Sequence, residues 1–167
     1  MGDAGLVCGL LWGELAVRAG APSSQDWQGE KVMRVHLGRR YGFSASHRLF
    51  CATLSEAENQ RVYGKCANPH GHGHNYTVEV VVGGERDAAT GMVMDLTELD
   101  GIVGREVLEP FDHQNLNTLE AFRDSVPTTE NLVMEIDRRL RGTLAGRPLQ
   151  VRVEETANNS FEYWEET

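Results

Sequence analysis

From Met33 onward, Val35, Leu37, Tyr41, Phe43 and Ala45 occupy alternate positions, the two-residue period of a strand with one covered face, and His47 falls on that same face. Tyr76, Val78, Val80 and Val82 repeat the pattern, so His72 and His74 project from the inward face where that second strand begins. Gly83 and Gly84 end it, and GMVMDL (91–96) reads as a third strand returning after a Gly- and Asp-rich turn. The period then changes to that of a helix. Leu96, Leu99, Val103 and Val107 recur at helical spacing up to Pro110, with Gly101 and Gly104 each weakening the helix by about 1 kcal/mol relative to Ala. A second helix follows Pro127, where Thr128 or Thr129 supplies a cap and Leu132, Ile136, Leu140 and Leu144 form one apolar stripe before Gly146 and Pro148. The last strand, LQVRVEET, turns Leu149, Val151 and Val153 inward, and the next residue on that face is Glu155. The order β, β, β, α, α, β predicts an α+β fold, an antiparallel sheet covered on one side by two helices.

A chain of 167 residues with 40% apolar content has the size and the core of one domain, here expected over 33–167. Residues 1–32 read as an extension that the domain does not need. Their apolar run has no basic start, carries Asp3 and is broken by Glu14, so it fits neither a signal peptide nor a membrane span, and Leu6 fails the myristoylation pattern after Gly2. The net charge of −9 argues against nucleic acid and anionic lipid as partners. Three scattered cysteines (Cys8, Cys51, Cys66) suit a reducing compartment, with the cytoplasm as the expected location.

His47, His72, His74 and Glu155 each continue the buried face of a strand, and buried polar groups are costly unless something satisfies them. His-x-His on a strand puts two imidazoles on one side. A third from the neighbouring strand completes the three protein ligands of a catalytic zinc with an open fourth position. Copper, nickel and iron accept the same ligand type. His70 shares the parity of His72 and His74, so spacing alone leaves open which two bind, and Pro69 favours the later pair by making regular pairing before it unfavourable.

Cys66 lies in a Gly/Asn/Pro loop beside Lys65, a cation that favours the reactive thiolate, and reads as a base or a nucleophile, or else as a fourth ligand of a structural site. PFDHQNLN places Asp112 and His113 in a loop between the helices, where each shifts the other's proton affinity. Glu155, and Glu130 in PTTEN, are candidates for holding a planar amidine-like edge through two N–H bonds, although Glu130 also fits a helix-start acid.

The ordered series FSASHRL, GKCANPHGHGHNYTVEV, GMVMDL, DHQNLN, PTTEN and VEETANN closely resembles the 6-pyruvoyl- and 6-carboxy-tetrahydropterin synthases over about residues 33–164. The resemblance implies a tunnelling fold, with a four-stranded antiparallel sheet and two helices per subunit, trimers closing a barrel, two barrels stacked as a homohexamer, and active sites between subunits. It implies a zinc ion on His47, His72 and His74, Cys66 as the proton-abstracting thiol, and Asp112 with His113 completing a catalytic triad. Glu155 becomes the pterin anchor, with Thr128, Thr129 and Glu130 lining the same pocket, and Arg48 and Lys65 become candidate triphosphate contacts. The five residues between Cys66 and His72 lean toward the pyruvoyl branch, which converts 7,8-dihydroneopterin triphosphate to 6-pyruvoyl-tetrahydropterin. The carboxy branch of deazapurine synthesis and a non-catalytic pterin-binding protein are the alternatives.

Overall fold

The computed structural model describes residues 34–147 and 149–163; the extension expected to be dispensable lies outside the described residues. Strand β1 (Val35–His47) and strand β2 (His72–Gly84) pair antiparallel over their full lengths, from Val35 opposite Gly84 to His47 opposite His72. That register sets His47 beside His72, and Ala45 beside His74, on the face of the sheet that carries the core. Strand β3 (Gln114–Asn115) adds a short parallel pair at Ala45 and Ser46, while β4 (Leu149–Thr156) and β5 (Asn159–Tyr163) extend the other side, giving the order β3-β1-β2-β4-β5. The sheet is therefore five-stranded and mixed, a correction to the expected four antiparallel strands.

The expected third strand at 91–96 is not formed. Local hydrogen bonds bend the chain there instead: before the run Asp87 Oδ1 accepts the N–H groups of Ala89 and Thr90, and within it Asp95 accepts the N–H of Thr97 as the cap of α2 (Leu96–Val103). Of the two methionines in that run, Met94 enters the core and Met92 stays exposed. The strand that completes the sheet instead is β5, reached by a tight turn after Thr156.

The helix after Asp95 continues through a π turn (Gly104–Leu108) into the short α3 (Glu109–Phe111), so Pro110 lies inside the helical run rather than ending it. Helix α4 (Thr129–Thr143) follows Pro127 as its stripe predicts. Leu132, Ile136 and Leu140 from α4 and Leu99, Val103 and Val107 from α2 and its π turn are fully buried with Val78, Val80, Val151 and Val153 of the sheet. Each such side chain contributes about 1.5–3 kcal/mol on leaving water. Helix α1 (Glu56–Tyr63) was not foreseen, because it carries almost no apolar stripe; Ser55 and Glu58 form a capping box at its start, and buried Asn59 ties it to the carbonyls of Cys51, Leu54 and Ser55. Among the described residues no helix is long and apolar enough to cross a membrane.

Candidate active site

His47, His72 and His74 converge at one end of the β1–β2 ladder, with one ring nitrogen from each inside a common 4.8 Å span. Nε2 of His47 and Nε2 of His72 are 3.1 Å apart. Ligand atoms on a tetrahedral zinc with bonds of about 2.0–2.1 Å stand about 3.3 Å from one another, so the pair is spaced for a shared ion. Nδ1 of His47 lies 2.7 Å from the carbonyl of Pro127; a carbonyl only accepts, so Nδ1 carries the proton and Nε2 turns its lone pair inward. His74 Nε2 is buried without a hydrogen-bond partner, a cost a bound cation would relieve. Burial lowers the proton affinity of His47, and burial and then the neighbouring His74 lower that of His72, which keeps both imidazoles in the neutral, ligating form.

Spacing left His70 in competition with these residues, and the structure separates them. Gly71 adopts a left-handed backbone (φ +68), which turns the chain between His70 and β2 and leaves the exposed His70 outside the cluster. A side chain at Gly71 would place its Cβ 2.9 Å from the carbonyl oxygen of His47.

Glu155 sits where the β4–β5 pairing shifts register between Glu154 and Thr156, an irregularity of the kind that re-aims side chains beside sites. Its Oε1 accepts the hydroxyl of Thr129 at 2.5 Å and lies 3.7 Å from His74 Nε2 and 3.9 Å from His47 Nε2. The two threonines that sequence could not rank divide the work: Thr128 caps α4 by accepting the N–H of Asn131, and the buried Thr129 faces Glu155. Tyr76 closes the floor, its ring 5.5 Å from that of His74, and burial followed by the Glu155 charge pushes its phenol well above the ordinary range. The Cys66 charge acts on Tyr76 in the same direction, which places the thiol within electrostatic reach of this pocket. Tyr76 and the Pro127 carbonyl were missed by sequence reasoning: a strand tyrosine reads as core, and a carbonyl has no residue type.

Cys66 stands on a 3-10 turn (Gly64–Ala67) stitched to the chain directly after His47. Leu49 donates its N–H to the Cys66 carbonyl at 2.9 Å, and Arg48 donates Nε–H to the Ala67 carbonyl at 2.9 Å. Arg48 is also paired with Glu56 at 3.0 Å and lies over the Phe50 ring, so its guanidinium serves the loop; Lys65 is exposed. Glu130 is exposed on the first turn of α4, where its charge complements the helix N-terminus.

Asp112 and His113 lie on the outer edge of β1. Ser44 donates its N–H to Asp112 Oδ1 at 2.8 Å and accepts the N–H of His113, which holds the unusual φ of 58° for a residue with a side chain. The Ser44 N–H holds the Asp112 carboxyl below its usual range, with a smaller contribution from His113, whose Nδ1 is 2.9 Å from Oδ1. The His113 ring is 81% exposed, and among the described residues no hydrogen bond or ion pair joins this pair to Cys66.

Residues 36–166 match the family model of 6-pyruvoyl tetrahydropterin synthase. The 6-pyruvoyl tetrahydrobiopterin synthase of Homo sapiens is 45% identical over 137 residues, 81% of this chain and 94% of that one. The protein of the same name from Poecilia reticulata is 46% identical over 130 residues, 77% of this chain and 88% of its own. The structure of Caenorhabditis elegans 6-pyruvoyl tetrahydropterin synthase superimposes with a TM-score of 0.76 at 38% identity, covering 81% of this chain and 98% of that one. The chain belongs to the 6-pyruvoyl tetrahydropterin synthase family.

Proposed function

We propose that the protein is a zinc-dependent 6-pyruvoyl-tetrahydropterin synthase, acting in the cytoplasm as a homohexamer on 7,8-dihydroneopterin triphosphate. The observation that carries the reading is the convergence of three imidazoles and the Thr129-bound Glu155 carboxylate in one pocket. Relatives bearing that synthase name match at 40–46% identity, against 36% over 113 residues for a putative 6-carboxy-5,6,7,8-tetrahydropterin synthase of Archaeoglobus fulgidus.

In this reading His47, His72 and His74 hold zinc, which when bound polarises the hydroxyl groups it contacts. Glu155, oriented by Thr129, accepts two N–H bonds from the guanidine-like edge of the pterin and so fixes its direction in the pocket. Tyr76 and the buried strand face keep water from the ring side. Cys66 takes a proton from the substrate side chain as triphosphate departs with the electrons of its carbon–oxygen bond. Asp112 orients His113, which returns protons as the side chain tautomerises to the diketone level. Because the Asp112–His113 pair lies on an open sheet edge, it serves the Cys66 of an adjacent subunit. Thr128 and Glu130 shape the pocket wall through the first turn of α4.

The test is mass spectrometry of products after incubating the zinc-loaded protein with 7,8-dihydroneopterin triphosphate. A 6-pyruvoyl product with released triphosphate is expected. A 6-carboxy product with acetaldehyde would overturn the assignment in favour of the deazapurine branch, and unchanged substrate would favour a binding protein.

A further inference from the structure

The β2–β4 pairing sets Thr77 opposite Glu154, and one residue further along the same register Tyr76 meets Glu155 on the face that carries the core. Directly opposed residues on one face have Cβ atoms about 4.5–5.5 Å apart, so the phenol and the carboxylate are neighbours. The Tyr76 ring is held on both sides. It stacks on Phe43, its partner in β1, at 5.1 Å between centroids and 18° between planes. It also stands 5.5 Å from the ring of His74 and edge-on to that of His47 at 6.4 Å.

The hydroxyl at the end of this ring is buried and has no hydrogen-bond partner among the described residues. Thr129 is near enough to act on it, yet its single hydroxyl proton goes to Glu155 Oε1 at 2.5 Å. Phenylalanine would fill the same space, keep the ring contacts and avoid the desolvation penalty of an orphaned hydroxyl. The oxygen therefore calls for a partner beyond the groups of this fold. Glu155, Thr129 and Cys66, the polar side chains close enough to influence it, all belong to the candidate site.

We propose that the Tyr76 hydroxyl is a specificity contact of the pterin pocket, donating a hydrogen bond to the 4-oxo oxygen of the ring whose guanidine-like edge Glu155 holds. The proposal rests on the reading of Glu155 as the pterin anchor and deepens it by naming the feature of the ring that is read. A 2-amino-4-oxo pyrimidine ring presents along one edge the amino N–H, the N3–H and the C4 oxygen, two donors followed by an acceptor. Glu155 supplies acceptors for the donors, and the phenol beside it supplies the donor that the third position needs. The exocyclic oxygen projects in line with the two N–H groups, whereas N1, on the far side of the amino group, is recessed in the ring. A carboxylate alone also holds a 4-amino ring protonated on its ring nitrogen. Such a ring turns an N–H toward the phenol, which can accept it only by aiming its own proton where no acceptor stands. A site with a fixed polar group rejects the analogue that leaves that group unpaired. Because Phe43 and His74 already hold the ring, little ordering cost is added on binding.

The zinc-loaded wild type and Tyr76→Phe are titrated by calorimetry with 6-hydroxymethylpterin and with its 4-amino counterpart, 2,4-diamino-6-hydroxymethylpteridine, and urea midpoints are taken without ligand. Tyr76→Phe is expected to weaken the 4-oxo compound about three- to tenfold, the worth of one uncharged hydrogen bond, and to leave the 4-amino compound within about twofold. The urea midpoint should stay or rise, because the variant loses an unpartnered hydroxyl. A packing role would not change the ratio of the two affinities. Equal losses with both compounds, or no loss with either, would overturn the contact, and a lowered midpoint would show that the hydroxyl has its partner within the fold. Failure of the wild type to bind either compound would instead overturn the pterin reading itself.

Discussion

Thr129 and Glu155, 26 residues apart in sequence, are joined by a 2.5 Å hydrogen bond that spans from the first turn of α4 to the irregular end of β4. The hydroxyl donates, so it fixes the carboxylate without neutralising it. Glu155→Gln keeps the shape and removes the charge, and a hydrogen bond to a charged group contributes about 1.5–3 kcal/mol. Pterin binding measured by calorimetry should weaken about ten- to hundredfold, with zinc content unchanged. Thr129→Val should weaken it only severalfold, by loosening the carboxylate. Equal affinity in Glu155→Gln and wild type would rule out the anchoring role.

Removal of the metal should abolish turnover and leave the fold intact, because the three histidines extend a strand face whose remaining residues build an apolar core. The metal-free protein should also acquire a pH dependence of defined sign. His47 and His72 have proton affinities lowered by burial from the ordinary value of 6.5. Below that pH the unfolded chain binds more protons than the native one, so stability is full above about pH 6.5 and declines as pH falls. Each group contributes a slope of at most about 1.4 kcal/mol per pH unit. Urea midpoints at pH 7.5 and 5.5, with and without zinc, report it; a metal-free midpoint that rises on acidification would contradict the sign.

Cys66 is outside the metal cluster, so Cys66→Ala should retain zinc and lose turnover by the factor of about 10²–10⁴ that a positioned base supplies. The edge position of Asp112 and His113 yields a sharper expectation. If the pair serves a neighbouring chain, Cys66→Ala and His113→Ala subunits that are each inactive should recover part of the wild-type rate when unfolded and reassembled together. No recovery on mixing would place all three groups in one chain.

The strand parities of β1, β2 and β4 were legible because alternation of apolar residues reports a face directly, and that face carries His47, His72, His74 and Glu155 together. Alternation misled at 91–96, where Asp95 caps a helix and local hydrogen bonding outweighs the apolar pattern. Helix α1 was hidden for the opposite reason: its stability comes from a capping box and the buried Asn59 amide rather than from an apolar stripe. The choice between His70 and His72 depended on a backbone angle at Gly71, which no side-chain pattern encodes.

That glycine supplies a test of how the metal cluster is held. Gly71 has φ +68, and a Cβ there would stand 2.9 Å from the His47 carbonyl, a backbone atom that cannot swing aside. Gly64, at φ +54, has nothing within 4 Å of the equivalent position. Ala at either site is strained by a positive φ that residues with a side chain rarely adopt, but only Gly71→Ala must also displace the end of β1 that carries His47. Gly64→Ala should therefore lower the urea midpoint and leave zinc affinity unchanged. Gly71→Ala should lower both, with a loss of about 10–100-fold in affinity of the size seen when groups that orient metal ligands are disturbed. Competition against a chelator distinguishes them, and equal zinc affinity in the two variants would show that the turn at Gly71 does not position the histidines.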